Sequence, residues 1–161
     1  MKPFLVPGFL LVSAVGAVLL SSTDDSRNQQ IVKGQPIEDH YLVPAPVASI
    51  ISRSCMDCHS FKTRWPIYSR LPIVGPMVEE DVRKGRLYLN FSRWNELKEK
   101  GREEESAVFT AICENSRMAP MAPKRYLAVH PAARLSESDI ERVCGWAEKQ
   151  ATAVLAFQND N

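Results

Sequence analysis

Residues 52 to 61 read SRSCMDCHSF, and the stretch Cys55-Met56-Asp57-Cys58-His59 within it holds half of the chain's four cysteines and one of its three histidines. Two thiols separated by two residues, with an imidazole next, fit a c-type haem. The S–H groups add across the porphyrin's two vinyl groups and the adjacent ring falls under the iron. On this reading Cys55 and Cys58 are the thioether residues of a single covalent haem c, and His59 is the proximal axial ligand. A structural zinc site would need a second close pair of ligands, whereas Cys113 and Cys144 stand singly and far apart. A thioredoxin-type pair belongs in strand-helix-strand surroundings, which the flanking sequence lacks.

Immediately upstream, PVASIISRSC sets Val47, Ile50, Ile51 and Cys55 at helical spacing, so a short helix delivers the cysteine pair. Downstream, FKTRWPIYSRLPIVGP carries Pro66, Pro72 and Pro76 too closely spaced for regular structure and reads as an apolar loop wrapped around the group. Trp65 and Tyr68 are expected to pack on the porphyrin, with Trp94 open to the same use or to plain core. Arg64, Arg70 and Arg86 are candidates to meet its carboxylates.

MVEEDVRKGRLYL predicts an amphipathic helix with Val78, Val82 and Leu87 on its stripe, interrupted near Gly85. Ser92 is the expected N-cap of a short helix ended by Gly101. REEESAVFTAICENS opens on acidic residues and buries Val108, Phe109, Ile112 and Cys113. LSESDIERVCGWAEKQATAVLAF begins with Ser136 as N-cap and Asp139 three residues on. No alternating strand and no internal repeat is present, so the fold class is all-α: a cytochrome c-like helical domain with proline-rich loops around one covalent haem.

The N-terminus adds a hydrophobic helix. A single Lys2 precedes an uncharged, mostly apolar run from Pro3 to Leu20. That length lies between a signal-peptide core and a minimal membrane span, and the charge order leaves Lys2 cytoplasmic. The expected organisation is a signal peptide or membrane anchor at 1–22, an extended tether at 23–45 that ends along the domain surface, and the haem-binding domain at 46–161. His40 falls in the tether and is expected to be solvated. A formal charge of +1 leaves no broad basic field for nucleic acid.

Three motifs in order, CMDCHSFKTRWPIYSRLP, DVRKGRLYLNFSRW and MAPKRYLAVHPAARLS followed by a tryptophan in the last helix, resemble the small haem-binding domain family of monohaem c-type cytochrome-like proteins from bacteria. The resemblance spans about residues 45 to 150. By position in the family Met121 is the match for the distal iron ligand. The family reads Met-Pro-Pro or Met-Pro-Leu where this chain has Met121-Ala122-Pro123, and Met118 and His130 stand as alternatives. The resemblance also makes His130-Pro131 part of the fold, with its imidazole expected on a loop carbonyl or a haem propionate.

In an oxidising compartment Cys113 and Cys144 are either a disulfide between adjacent helices or two buried thiols. A thioether opposite an imidazole raises the reduction potential and closes the iron, which suits an electron carrier. The reading is therefore a monohaem cytochrome c at the outer, periplasmic face of the bacterial cytoplasmic membrane. It passes electrons as a shuttle, or as a subunit of a respiratory or photosynthetic complex, to redox partner proteins. An open iron would instead mean peroxidase or gas-binding activity.

Overall fold

In the computed structural model, residues 34–118 and 121–156 are described. The expected N-terminal helix at 1–22 and the first part of the tether lie outside them. Every regular element among the described residues is helical, and none of these helices is long and apolar enough to cross a membrane. In chain order they are α1 (Ala45–Ser54), α2 (Met56–His59), α3 (Val74–Tyr88), α4 (Trp94–Lys98), α5 (Arg102–Arg117), α6 (Lys124–Val129) and α7 (Glu137–Ala156), joined by short 3₁₀ turns.

The frame is the pair α5 and α7. Ser106 Oγ donates to the carbonyl of Ala151, while Cys113 and Cys144 are joined by a disulfide with their Cα atoms 4.5 Å apart. Residue numbers rising on one helix therefore meet falling numbers on the other, and the two run antiparallel. Their shared face buries Phe109, Ile112, Val143, Ala147 and Trp146, joined by Val47, Ile50 and Ile51 of α1. Edge-on and tilted ring contacts knit this core. Phe109 lies 5.0 Å from Trp94, 5.1 Å from Tyr41 and 5.5 Å from Trp146, and such pairs add about 0.5–1.5 kcal/mol each beyond their buried area.

Local signals set the ends of α5 and α7. Ser136 N donates to Asp139 Oδ2 at 2.9 Å and Asp139 N to Ser136 Oγ at 3.2 Å, a reciprocal capping box. Arg53 of α1 adds a 2.6 Å ion pair to the same carboxylate. Gly101, at φ +108°, turns the chain into α5 through a conformation that favours glycine.

Three helix expectations change. Helix α3 runs unbroken through Gly85, because that glycine answers to a tertiary contact rather than a break. A Cβ there would meet the Cys58 carbonyl oxygen at 2.4 Å. Pro76 sits inside the first turn of α3, where its missing N–H costs no helical bond. Ser92 does not cap a helix; Asn90 caps the 3₁₀ turn Phe91–Arg93 and α4 starts at Trp94. Ser92 Oγ instead accepts a hydrogen bond from Phe61 N at 3.0 Å.

Residues before 46 also pack into the core. Ile37 is only 1% exposed, and Trp94 N donates to Gln35 O while Gln35 N donates to Asn95 Oδ1, both at 2.9 Å. Tyr41 OH donates to Glu105 Oε1 at 2.8 Å, the oxygen that also takes Trp94 Nε1 at 2.7 Å. His40 is drawn in with this strap: its Nε2 is buried and has no hydrogen-bond partner among the described residues.

Candidate haem site

Helix α1 ends on Cys55, and α2 is a single turn in which His59 N donates to Cys55 O at 2.9 Å. Cys55, Cys58 and His59 thus stand at i, i+3 and i+4 of one turn. Gly85 lets α3 press directly on this turn at the Cys58 carbonyl. The segment beyond α3 supplies the key acceptor: His59 Nδ1 lies 3.1 Å from the carbonyl oxygen of Leu89. Donation from Nδ1 fixes the tautomer and leaves Nε2 with its lone pair, the form an iron ligand requires. Burial lowers the His59 pKa, which favours the same neutral ring.

Burial pushes the Cys55 thiol up to about 12, with the neighbouring Cys58 adding to the rise. The Cys58 thiol is pushed up to about 11, by burial first and then by the Asp81 and Asp57 carboxylates. Both are neutral at ordinary pH, unlike the thiolates of a resting redox pair. Neutral S–H groups are what addition to a vinyl group consumes.

Open space surrounds the turn. A 240 Å³ cavity is lined by Cys58, His59, Tyr88 and Met121, and a 450 Å³ cavity by Cys55, His59, Tyr88, Phe91 and Met121. A 340 Å³ cavity between α3 and α6 reaches Cys58 and Tyr68, and a 250 Å³ cavity reaches Cys55, Met118 and Met121. Each falls near or within the size class of small-molecule sites. A flat macrocycle joined to both cysteines and to His59 is consistent with all three: the free thiols, the pinned imidazole and the cavities that flank it.

Met121 shares two cavities with His59, whereas Met118 lines only the one at Cys55. The side chains of Met121 and Met118 are 48% and 64% exposed. Tyr68 lines the cavity at Cys58, and Trp65, half-buried, lines none of these four. Trp94 belongs to the core. Arg64 grips Asp57 with Nε and Nη2, both at 3.0 Å. Arg86 donates to Ser60 O and to Thr63 Oγ1, both at 2.9 Å, with its guanidinium over the Phe61 ring. Arg64 thus braces the motif turn itself and Arg86 the residues after His59; Arg70 is exposed.

His130 departs from expectation: its Nε2 shares a 2.7 Å hydrogen bond with the Tyr68 hydroxyl, and its ring stacks on Tyr126 at 4.3 Å. Sequence reasoning passed over Asp57, Tyr88, Leu89 and Tyr126. Asp57 stood inside the motif and was the readable one. The Leu89 carbonyl carries no side-chain signal.

The family model for the haem-binding domain matches residues 13–149, and the chain belongs to that family. No curated protein and no solved structure matches it.

Proposed function

We propose that this haem-binding protein is a monohaem c-type cytochrome that carries single electrons. Cys55 and Cys58 would hold the haem as thioethers, and His59 and Met121 would be its iron ligands. The observation that carries the reading is the His59 ring. It is pinned through Nδ1 to Leu89 O and shares one cavity with Cys58 and another with Cys55, with Met121 on both.

When bound, the haem supplies the one-electron couple of its iron. The chain's own residues do the rest. Cys55 and Cys58 would hold the group through two thioethers, each S–H adding across one vinyl group. Leu89 O holds the imidazole proton so that Nε2 stays a base. Tyr88, 83% exposed at the end of α3, stands at the rim where a redox partner would approach.

Location belongs to the same proposal. The apolar run from Pro3 to Leu20 would hold the domain at the outer face of the bacterial cytoplasmic membrane, either alone or within a respiratory or photosynthetic complex.

Mass spectrometry of the exported protein tests attachment: the expected result is one haem adduct on the peptide holding Cys55 and Cys58. Optical spectra of the oxidised and reduced protein, with and without carbon monoxide, test ligation. A low-spin spectrum with a sulfur-to-iron band that Met121→Ala abolishes is expected. A high-spin spectrum with ready carbon monoxide binding would overturn electron carriage through a closed iron in favour of peroxide or gas chemistry.

A further inference from the structure

The segment that carries Met121 is held differently from the rest of the molecule. Between Met121 and α6 stands Pro123, whose ring fixes φ and makes a stiff link. Helix α6 buries Leu127 alone, and on its α3 side lies the 340 Å³ cavity that reaches Cys58. Polar bonds tie the arm to the elements around it. Arg125 Nη2 reaches both oxygens of Asp81 at 2.5 and 2.7 Å. Tyr126 OH donates to Asp57 Oδ2 at 3.0 Å, and His130 Nε2 shares the 2.7 Å bond with Tyr68 OH.

Two of these bonds end on the haem-attachment side of the protein. Asp57 lies between Cys55 and Cys58, and its carboxylate is itself fixed, taking Arg64 N and Nε on Oδ1 and Arg64 Nη2 on Oδ2. Tyr68 lies in the loop that follows the motif and lines the cavity at Cys58. A phenol five residues after Met121 is therefore tied into the motif, and an imidazole nine residues after it is tied to the loop beyond.

We propose that Tyr126 and the Tyr68–His130 pair are positioning residues. They clamp residues 121–130 as an arm against the attachment turn and so set the distance from the Met121 sulfur to the iron. This rests on Met121 being the distal ligand. The clamp is built onto the turn itself, because the Asp57 carboxylate that Arg64 holds is the one that accepts from Tyr126. Ligation on the far side of the haem is thereby coupled to correct attachment on the near side.

The test uses the full chain, haem-loaded and apo, with Tyr126→Phe and Tyr68→Phe made separately, since each keeps its ring. In the reduced haem protein carbon monoxide must displace the methionine. Its association rate is expected to rise about tenfold in Tyr126→Phe, the scale set by losing one hydrogen bond to a charged acceptor. It should rise by less in Tyr68→Phe, whose partner is neutral. In the apo chain, hydrogen exchange at the Leu127 and His130 amides should quicken by the same factors while α5 and α7 stay unchanged. Unchanged carbon monoxide rates and unchanged exchange in both variants would overturn the clamp while leaving Met121 ligation intact. A wild-type protein that already binds carbon monoxide as fast as Met121→Ala would overturn the ligation, and the positioning role with it.

Discussion

Helices α5 and α7 and the arm of residues 121–130 both face the site, and they are built on opposite principles. The helix pair is welded by a disulfide and a continuous buried face from Phe109 to Trp146. The arm is held by one buried leucine and a few side-chain bonds beside a cavity. The helix pair carries the fold, while the arm, tied by polar bonds to the turn of Cys55–His59, carries the methionine proposed as distal ligand.

Removing the disulfide should blur the contrast most. Its 31-residue separation implies about 3–4 kcal/mol of loop-closure stabilisation, so Cys113→Ala with Cys144→Ala should lower the urea midpoint steeply, as should reductant on the wild type. A variant as stable as the parent would mean that burial alone holds the frame. Gly85→Ala comes next. Its methyl group would stand 2.4 Å from the Cys58 carbonyl oxygen, so α3 or the turn must shift, at about 2–3 kcal/mol, with reduced haem attachment by mass spectrometry. Full attachment in that variant would show that the turn tolerates displacement.

A smaller effect belongs to Asp139. The Ser136 N–H, the Ser136 hydroxyl and Arg53 hold its carboxyl down at about 2, against an ordinary 3.8. A depressed carboxylate stabilises the fold fully above its unfolded value, and that stability is lost as pH falls through the folded one. Asp139→Asn should therefore cost about 1 kcal/mol or less at neutral pH and flatten the stability profile between about pH 4 and 2. Smallest is Tyr126→Phe, which should leave global unfolding nearly unchanged while the arm alone exchanges faster.

What the sequence made legible follows the range of the forces involved. The Cys55–His59 spacing is written in five adjacent residues, and the Ser136–Asp139 box in four. The helix stripes of α1, α5 and α7 follow from a 3.6-residue period. Tertiary contacts are another matter. Gly85 looks like a break because nothing near it in sequence reports that Cys58 will press against it. Ser92 looks like a cap because a hydroxyl before a helix usually is one, yet the backbone of Phe61 claims it. His130 finds Tyr68, 62 residues away, and no local rule couples them. Ile37 and Tyr41 sit among polar residues, and only the finished core shows that the strap belongs to it.

That strap has a mechanical meaning. Any pull on the chain ahead of Gly34 reaches the Gln35 pairing with Trp94 and Asn95 first, and then the knot where Tyr41 and Trp94 share Glu105. Only beyond these does it reach α1 and Cys55. The arrangement works like the grommet on a cable: load applied ahead of Gly34 is passed to the hydrophobic core before it reaches the turn of Cys55, Cys58 and His59.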